Sequence, residues 1–350
     1  MTLTLDNILE GLAPAPATSV PSPAPAPAPQ QQELESRKKF NRRFTLPATD
    51  AHDELTVTYA VGGVDSDTAP TVLFISGMFG GRLLASMTDH IGQSFGVRIV
   101  VIDRPGMGGS TMVDVSLRLS HVSIAAHSCG VIYALNTINE LPWILPPSNR
   151  KLYLFSPWVG LEHSMMSISS YLPSPLINKT TSAVSAPSSG RRKPLPRHER
   201  DETYREYCGV SAAEYSARSK ELMHAMFKES IRGANHEALL LLRRGVPGGW
   251  GVCDDYKTYP DALEAKMREF SQETGTGTSR ETGQKKGEEY FNKCFERFPE
   301  TNVASSGDGK EHKCLLYESE VVPETTHDTV CLPQYEALPR ALRDMLGRQE

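Results

Sequence analysis

The chain has 350 residues, of which 39% are apolar and 23% charged, and a formal net charge of -5. That length suits one large domain or two ordinary ones. The acidic balance gives no electrostatic case for binding nucleic acid or an anionic membrane surface. No run approaches the roughly 18 apolar residues of a membrane-spanning helix, and no basic region leads into an apolar stretch at the start of the chain. Six cysteines (Cys129, Cys208, Cys253, Cys294, Cys314 and Cys331) are scattered without zinc-like spacing. The expectation is a soluble cytoplasmic protein with free thiols in a reducing compartment.

In chain order, residues 13–32 (APAPATSVPSPAPAPAPQQQ) cannot bury enough surface to offset their ordering entropy. Residues 1–42 are therefore expected to be a disordered Pro/Ala-rich segment. Phe44–Leu46 and Leu55–Val61 read as strands, the second alternating with period two, and Gly62-Gly63 marks a turn. Thr71–Ile75, Val97–Ile102 and Val122–Ala126 are short apolar runs rich in β-branched residues, each followed by turn residues. Strands buried on both faces of a parallel sheet read this way. Leu152–Phe155 is a fourth such run. Arg82–Phe95 and Gly130–Leu141 between them predict crossover helices, so the pattern is that of an open α/β sheet with helices on both faces.

Residues 161–250 break the pattern. They predict a mobile loop at 179–200 and a helical segment at about 211–244, together an insertion over the sheet. Residues 268–313 are polar and contain no four-residue apolar run. Cys314–Tyr317 predicts a returning strand, and Pro333–Leu346 a closing helix.

Ala126-His127-Ser128-Cys129-Gly130 falls between a buried strand and a helix. A serine in such a tight turn has its hydroxyl pushed into the open, with the following N–H groups aimed at the same space. The flanking positions must be small because backbone segments meet there. The bland alternative is a serine capping a helix.

With its neighbours, this stretch resembles the α/β-hydrolase superfamily, of the kind with a cap domain. Thr71–Gly81 (TVLFISGMFGG) is similar to the strand and oxyanion turn. Val97–Thr111 (VRIVVIDRPGMGGST) is similar to the next strand and its D-x-P-G-x-G-x-S turn. Val122–Gly130 supplies the nucleophile turn, and Val322–Val330 (VPETTHDTV) resembles the turn that carries the catalytic histidine. The resemblance implies Ser128 as nucleophile, His327 as general base, and the backbone N–H groups of Met78 and Cys129 as the oxyanion hole. The core is expected at 43–160 and 251–350 and a cap at 161–250, whose apolar helix positions suggest a small-molecule substrate with a hydrophobic acyl or alcohol group. No metal or organic cofactor is implied.

Two pieces of the family pattern are missing from the sequence. The strand that precedes the triad acid belongs between Tyr256 and His312, yet no segment there reads as one. Asp254, Asp255 and Glu281 are the acid candidates. Only Met112–His121 separates the Arg104–Thr111 turn from the next strand, short for a parallel crossover. The expectation is a chain that has lost one crossover helix and the acid-bearing strand. A serine esterase, lipase or thioesterase is the leading reading, and a catalytically inactive or truncated relative is the alternative. A dinucleotide-binding fold, suggested by Gly77, Gly80, Gly81 and Asp103, is a minor one.

Overall fold

The computed structural model describes residues 38–50, 52–112, 122–145, 151–163, 197–244, 248–274, 277–282, 285–296, 315–323, 325 and 327–347. Its strands are β1 (Arg42–Leu46), β2 (Leu55–Gly63), β3 (Thr71–Ile75), β4 (Arg98–Ile102), β5 (Met107–Gly108), β6 (Ser123–His127), β7 (Lys151–Phe155), β8 (Ser230–Ile231), β9 (Gly277–Thr282) and β10 (Leu315–Glu320). Eight of them make one sheet in the order β1-β2-β4-β3-β6-β7-β9-β10. β2 pairs antiparallel with both neighbours, and every other pairing in this sheet is parallel.

The central strands are buried on both faces, as their continuous apolar runs require. Leu73, Ile75, Ile124, Ala126, Leu152 and Leu154 contribute to one core cluster. Val72, Phe74, Ala125, Tyr153 and Phe155, which alternate with them, contribute to the other. Helix α1 (Asp89–Phe95) follows a 3-10 turn at Arg82–Ser86, so the predicted crossover at 82–95 is built of two pieces. Helix α2 (Gly130–Glu140) leaves β6 directly and buries Val131, Ile132, Ala134, Leu135 and Ile138 against the sheet.

Helices α3 (Arg197–Cys208), α4 (Ala212–Lys228) and α5 (Arg232–Leu241) stand between β7 and β9. α4 opens with a Ser-x-x-Glu signature, in which the Ser211 hydroxyl accepts from the Glu214 N–H at 3.2 Å. The single helix expected at 211–244 is broken at Glu229, whose backbone is extended. Ser230-Ile231 then pair antiparallel with Met107-Gly108. That break ties the inserted segment to the turn after β4. Among the described residues no helix is long and apolar enough to cross a membrane.

One expectation is overturned. The strand before β10 is present: β9 (sequence GTSRET) pairs parallel with β7 on one side and β10 on the other. Its residues are polar and do not alternate, so hydrophobic periodicity gave no signal. Its place is fixed by two backbone ladders rather than by side-chain type. α6 (Tyr259–Thr274) runs into the polar region and α7 (Lys285–Phe295) lies within it, between β9 and β10. The short crossover at Met112–His121 lies, apart from Met112, outside the described residues, as do the N-terminal segment through residue 37 and most of the loop expected at 179–200. The chain ends in a 3-10 turn at Pro333–Tyr335 and helix α8 (Ala337–Met345).

Candidate active site

β6 ends at His127, and the chain turns into α2 through Ser128 and Cys129. Ser128 adopts φ 57°, in the left-handed region that a residue with a Cβ normally avoids. Its N–H donates to Phe155 O at the end of β7 (3.0 Å), and its carbonyl accepts from the N–H groups of Val131 (3.1 Å) and Trp158 (3.2 Å). These bonds hold the strained turn in place. Gly130 is required on steric grounds: a Cβ there would lie 2.3 Å from Ile75 O. Gly77 is confined too, though less tightly: a Cβ would lie 2.9 Å from Ser128 Cβ and from His127 Nδ1.

His327 arrives from the loop after β10, where Thr325 Oγ1 donates to Val322 O at 2.7 Å. Its Nε2 lies 2.7 Å from Ser128 Oγ. The structure thus joins two residues 199 positions apart in hydrogen-bonding distance. Burial, and then the neighbouring His127, lower the His327 pKa to about 3. His127 lies 2.7 Å through Nε2 from the His327 carbonyl oxygen. A carbonyl can only accept, so His127 carries its proton on Nε2. Burial lowers the His127 pKa, opposed by that hydrogen bond and by Asp328. Trp158 meets the His327 ring edge-on, with centroids 6.3 Å apart.

Met78 and Cys129 sit on the two turns that face each other here, after β3 and β6. Neither N–H has a backbone acceptor among the described residues. Both lie against the Cys129 thiol. Burial pushes that thiol up to about 12, so it stays protonated at neutral pH.

The acid candidates are not brought to the histidine alike. Asp254 accepts from Arg243 Nη1 at 3.2 Å and from the Trp250 N–H at 3.3 Å. Asp255 closes a local turn by accepting from the Lys257 N–H (2.9 Å) and Thr258 Oγ1 (3.1 Å). Neither bonds to His327. Glu281 belongs to β9, where it pairs in register with Leu154, one residue before the strand ends beside Phe155. Its side chain lies outside the described residues. Among the described residues, no carboxylate is recorded on His327, and no group of three His, Cys, Asp or Glu side chains could hold a metal ion.

Two buried arginines, Arg82 and Arg104, stand beside the Ser76–Gly80 turn, and the sequence had pointed to a role for neither. Arg104, 1% exposed, forms a two-pronged pair with Glu237 of α5, itself 3% exposed: Nε to Oε1 at 2.5 Å and Nη2 to Oε2 at 2.9 Å. Burial opposes its charge, but attraction to Glu237 more than offsets this and the pKa is raised. Arg82 bonds Asp103 Oδ2 at 2.7 Å and both oxygens of Glu229 at 2.6 Å. Asp103 also accepts from Thr58 Oγ1 at 2.6 Å and from the Arg82 N–H at 2.7 Å. The acid that a dinucleotide-binding reading would give to a ribose is thus fully engaged inside the protein. The D-R dipeptide of the DRPGMGGS turn carries both networks, which was the available signal; the glutamates that complete them come from the inserted segment.

No protein-family model matches the chain, and no curated protein sequence does. Solved structures do. A carboxylesterase of the thaumarchaeon Nitrososphaera gargenis superposes with a TM-score of 0.51 at 10% identity, covering 87% of this chain and 99% of that one. A bromoperoxidase from Bacillus anthracis gives a TM-score of 0.48 at 12% identity, over 88% of this chain and 99% of that one. An esterase from Thermogutta terrifontis gives 0.46 at 12% identity, over 87% and 98%. Identities this low speak for architecture and not for chemistry. The sheet order, with its antiparallel second strand, and the likeness to the carboxylesterase show that the chain has the α/β-hydrolase fold.

Proposed function

We propose that the chain is a serine hydrolase that cleaves a carboxylic ester or thioester by way of an acyl-enzyme. One observation carries the reading: Ser128, held at φ 57° between β6 and α2, has its Oγ 2.7 Å from His327 Nε2. Ser128 Oγ attacks the acyl carbon while its proton passes to His327 Nε2. The negative oxygen that forms is met by the N–H groups of Met78 and Cys129. Collapse expels the alcohol or thiol, which takes the proton from Nε2. Water then repeats the sequence, with His327 removing its proton, and Ser128 is freed.

In this reading α3, α4 and α5 form a cap that selects the substrate. Phe227 of α4 meets Phe79 of the oxyanion turn with ring centroids 5.6 Å apart, an apolar contact at the entrance expected for a hydrophobic acyl group. Of the acid candidates, Glu281 has the chain position suited to orienting His327. Asp254 and Asp255 are both engaged away from His327, which supports, as a second reading, a relative that retains the dyad and turns over slowly or not at all.

Turnover of p-nitrophenyl acyl esters and acyl thioesters by the full chain, beside Ser128→Ala, tests the proposal. Hydrolysis abolished by the substitution is expected. Hydrolysis that survives in Ser128→Ala contradicts it, and a folded protein inert to both substrate series favours the second reading.

A further inference from the structure

The guanidinium of Arg104 has five N–H donors, and all of them face inward. Beyond the two bonds to Glu237, Nη1 reaches Ser76 O at 2.7 Å, Ser76 Oγ at 3.0 Å and Gly80 O at 3.2 Å, and Nη2 reaches Gly77 O at 3.0 Å. Three carbonyls of one five-residue turn are therefore gathered on a single planar cation. The Gly77 carbonyl shares its peptide plane with the Met78 N–H. In a trans peptide the two point in opposite directions, and the described chain has no cis bonds. Drawing Gly77 O onto Arg104 consequently turns the Met78 N–H away from Arg104, to the side where it meets Cys129, the residue after Ser128.

The cation cannot hold that position alone. It is buried, and an unpaired buried charge is costly. Glu237 supplies the opposite charge and fixes the plane of the fork, because a two-point pair restrains rotation as well as distance. Glu237 is itself steadied by Tyr133 OH of α2, which donates to Oε1 at 2.9 Å. The inserted segment, the helix behind Ser128 and the oxyanion turn are thus joined through one buried ion pair.

We infer that Arg104 and Glu237 are positioning residues: the pair, completed from the inserted segment, aims the Met78 N–H at the oxygen that becomes negative during acyl transfer. The inference rests on the serine-hydrolase reading above. It gives the insertion a role in setting the reaction rate as well as in choosing the substrate. A second, half-buried pair, Arg82–Glu229, docks the same insertion without touching the carbonyls of Ser76, Gly77 or Gly80. It serves as the built-in control.

The test compares wild type, Glu237→Gln, Tyr133→Phe and Glu229→Gln in the full chain. Each is assayed for kcat and KM on one p-nitrophenyl ester and for inhibition by a matching trifluoromethyl ketone, whose serine adduct bears an oxyanion. Thermal unfolding is followed in parallel. In Glu237→Gln, kcat is expected to fall by about tenfold or more, short of the roughly 10²–10³ of a donor lost outright because the N–H is misaimed and not removed. KM stays within about twofold, and ketone affinity falls by the same factor as kcat/KM. Tyr133→Phe moves both in the same direction by a smaller factor and decides the matter if Glu237→Gln does not fold. Glu229→Gln leaves both readings at wild-type values even where its unfolding midpoint drops. Wild-type kcat and ketone affinity in a folded Glu237→Gln, or in Tyr133→Phe if that alone folds, would overturn the inference while leaving the hydrolase reading intact. Equal losses in Glu229→Gln would also overturn it, by showing that docking and not aim is what matters. A wild type inert to ester and ketone would overturn both.

Discussion

His127 and His327 are joined by a 2.7 Å hydrogen bond from the Nε2–H of the first to the main-chain oxygen of the second. The residue before the candidate nucleophile therefore fixes the backbone of the candidate base. Their rings also lie together, with centroids 5.3 Å apart. Among the described residues no carboxylate meets His327, and this bond is the restraint on its backbone there.

Loss of that bond should reduce the rate more than the affinity. His127→Ala is expected to lower kcat by about tenfold, because small misplacements of a reacting group are costly, with KM little changed. His127→Gln, whose amide can donate to the same carbonyl, should recover part of the rate. Steady-state kinetics on a p-nitrophenyl ester read both variants. Equal rates in His127→Ala and wild type would show that the loop holds His327 without it.

The strain at Ser128 makes a stability prediction that is independent of turnover. Ser128→Ala and Ser128→Gly both remove the hydroxyl, but only alanine keeps a Cβ at φ 57°. The glycine variant should therefore be the more stable of the two by about 1 kcal/mol, the usual cost of a left-handed non-glycine residue. Denaturant midpoints at constant slope measure the difference. An alanine variant as stable as the glycine variant would mean the turn relaxes out of the left-handed region.

The ionisation of His327 predicts an unusual acid limb. Its pKa is lowered from 6.5 to about 3 by burial and by His127, so the neutral base persists far below neutrality. A plot of kcat/KM against pH should stay flat down to about pH 4. Stability behaves differently. The unfolded histidine takes up a proton below about pH 6.5 and the folded one does not until about pH 3, so stability falls as pH drops through that window. His127, lowered in the same direction, adds to the loss. An acid limb near pH 6 to 7 would show instead that a carboxylate stands beside His327 in solution.

The parts of this site legible in the sequence were those written in local chemistry. Three apolar strands, the DRPGMGGS turn and the AHSCG turn each carry their signal within a few residues, and the sheet places them in neighbouring strands β3, β4 and β6. His327 was legible through its order in the chain. Strand β9 was not, because GTSRET takes its conformation from the ladders of β7 and β10 and has no pattern of its own. The break at Glu229 was hidden by helix-forming residues on both sides, and only the pairing with Met107-Gly108 reveals why it is there. The Arg104–Glu237 pair spans 133 residues and joins core to insertion, a relation that no single-sequence spacing encodes.

Labelling with a fluorophosphonate probe, read by intact mass, tests the central claim most directly. The full chain should gain one adduct, on the peptide that contains Ser128. Ser128→Ala should gain none, and His327→Ala should react far more slowly, because the Oγ proton then has no acceptor at 2.7 Å. A folded wild-type chain that stays unlabelled, or one labelled at a residue other than Ser128, would contradict the assignment of Ser128 and His327 as a working pair.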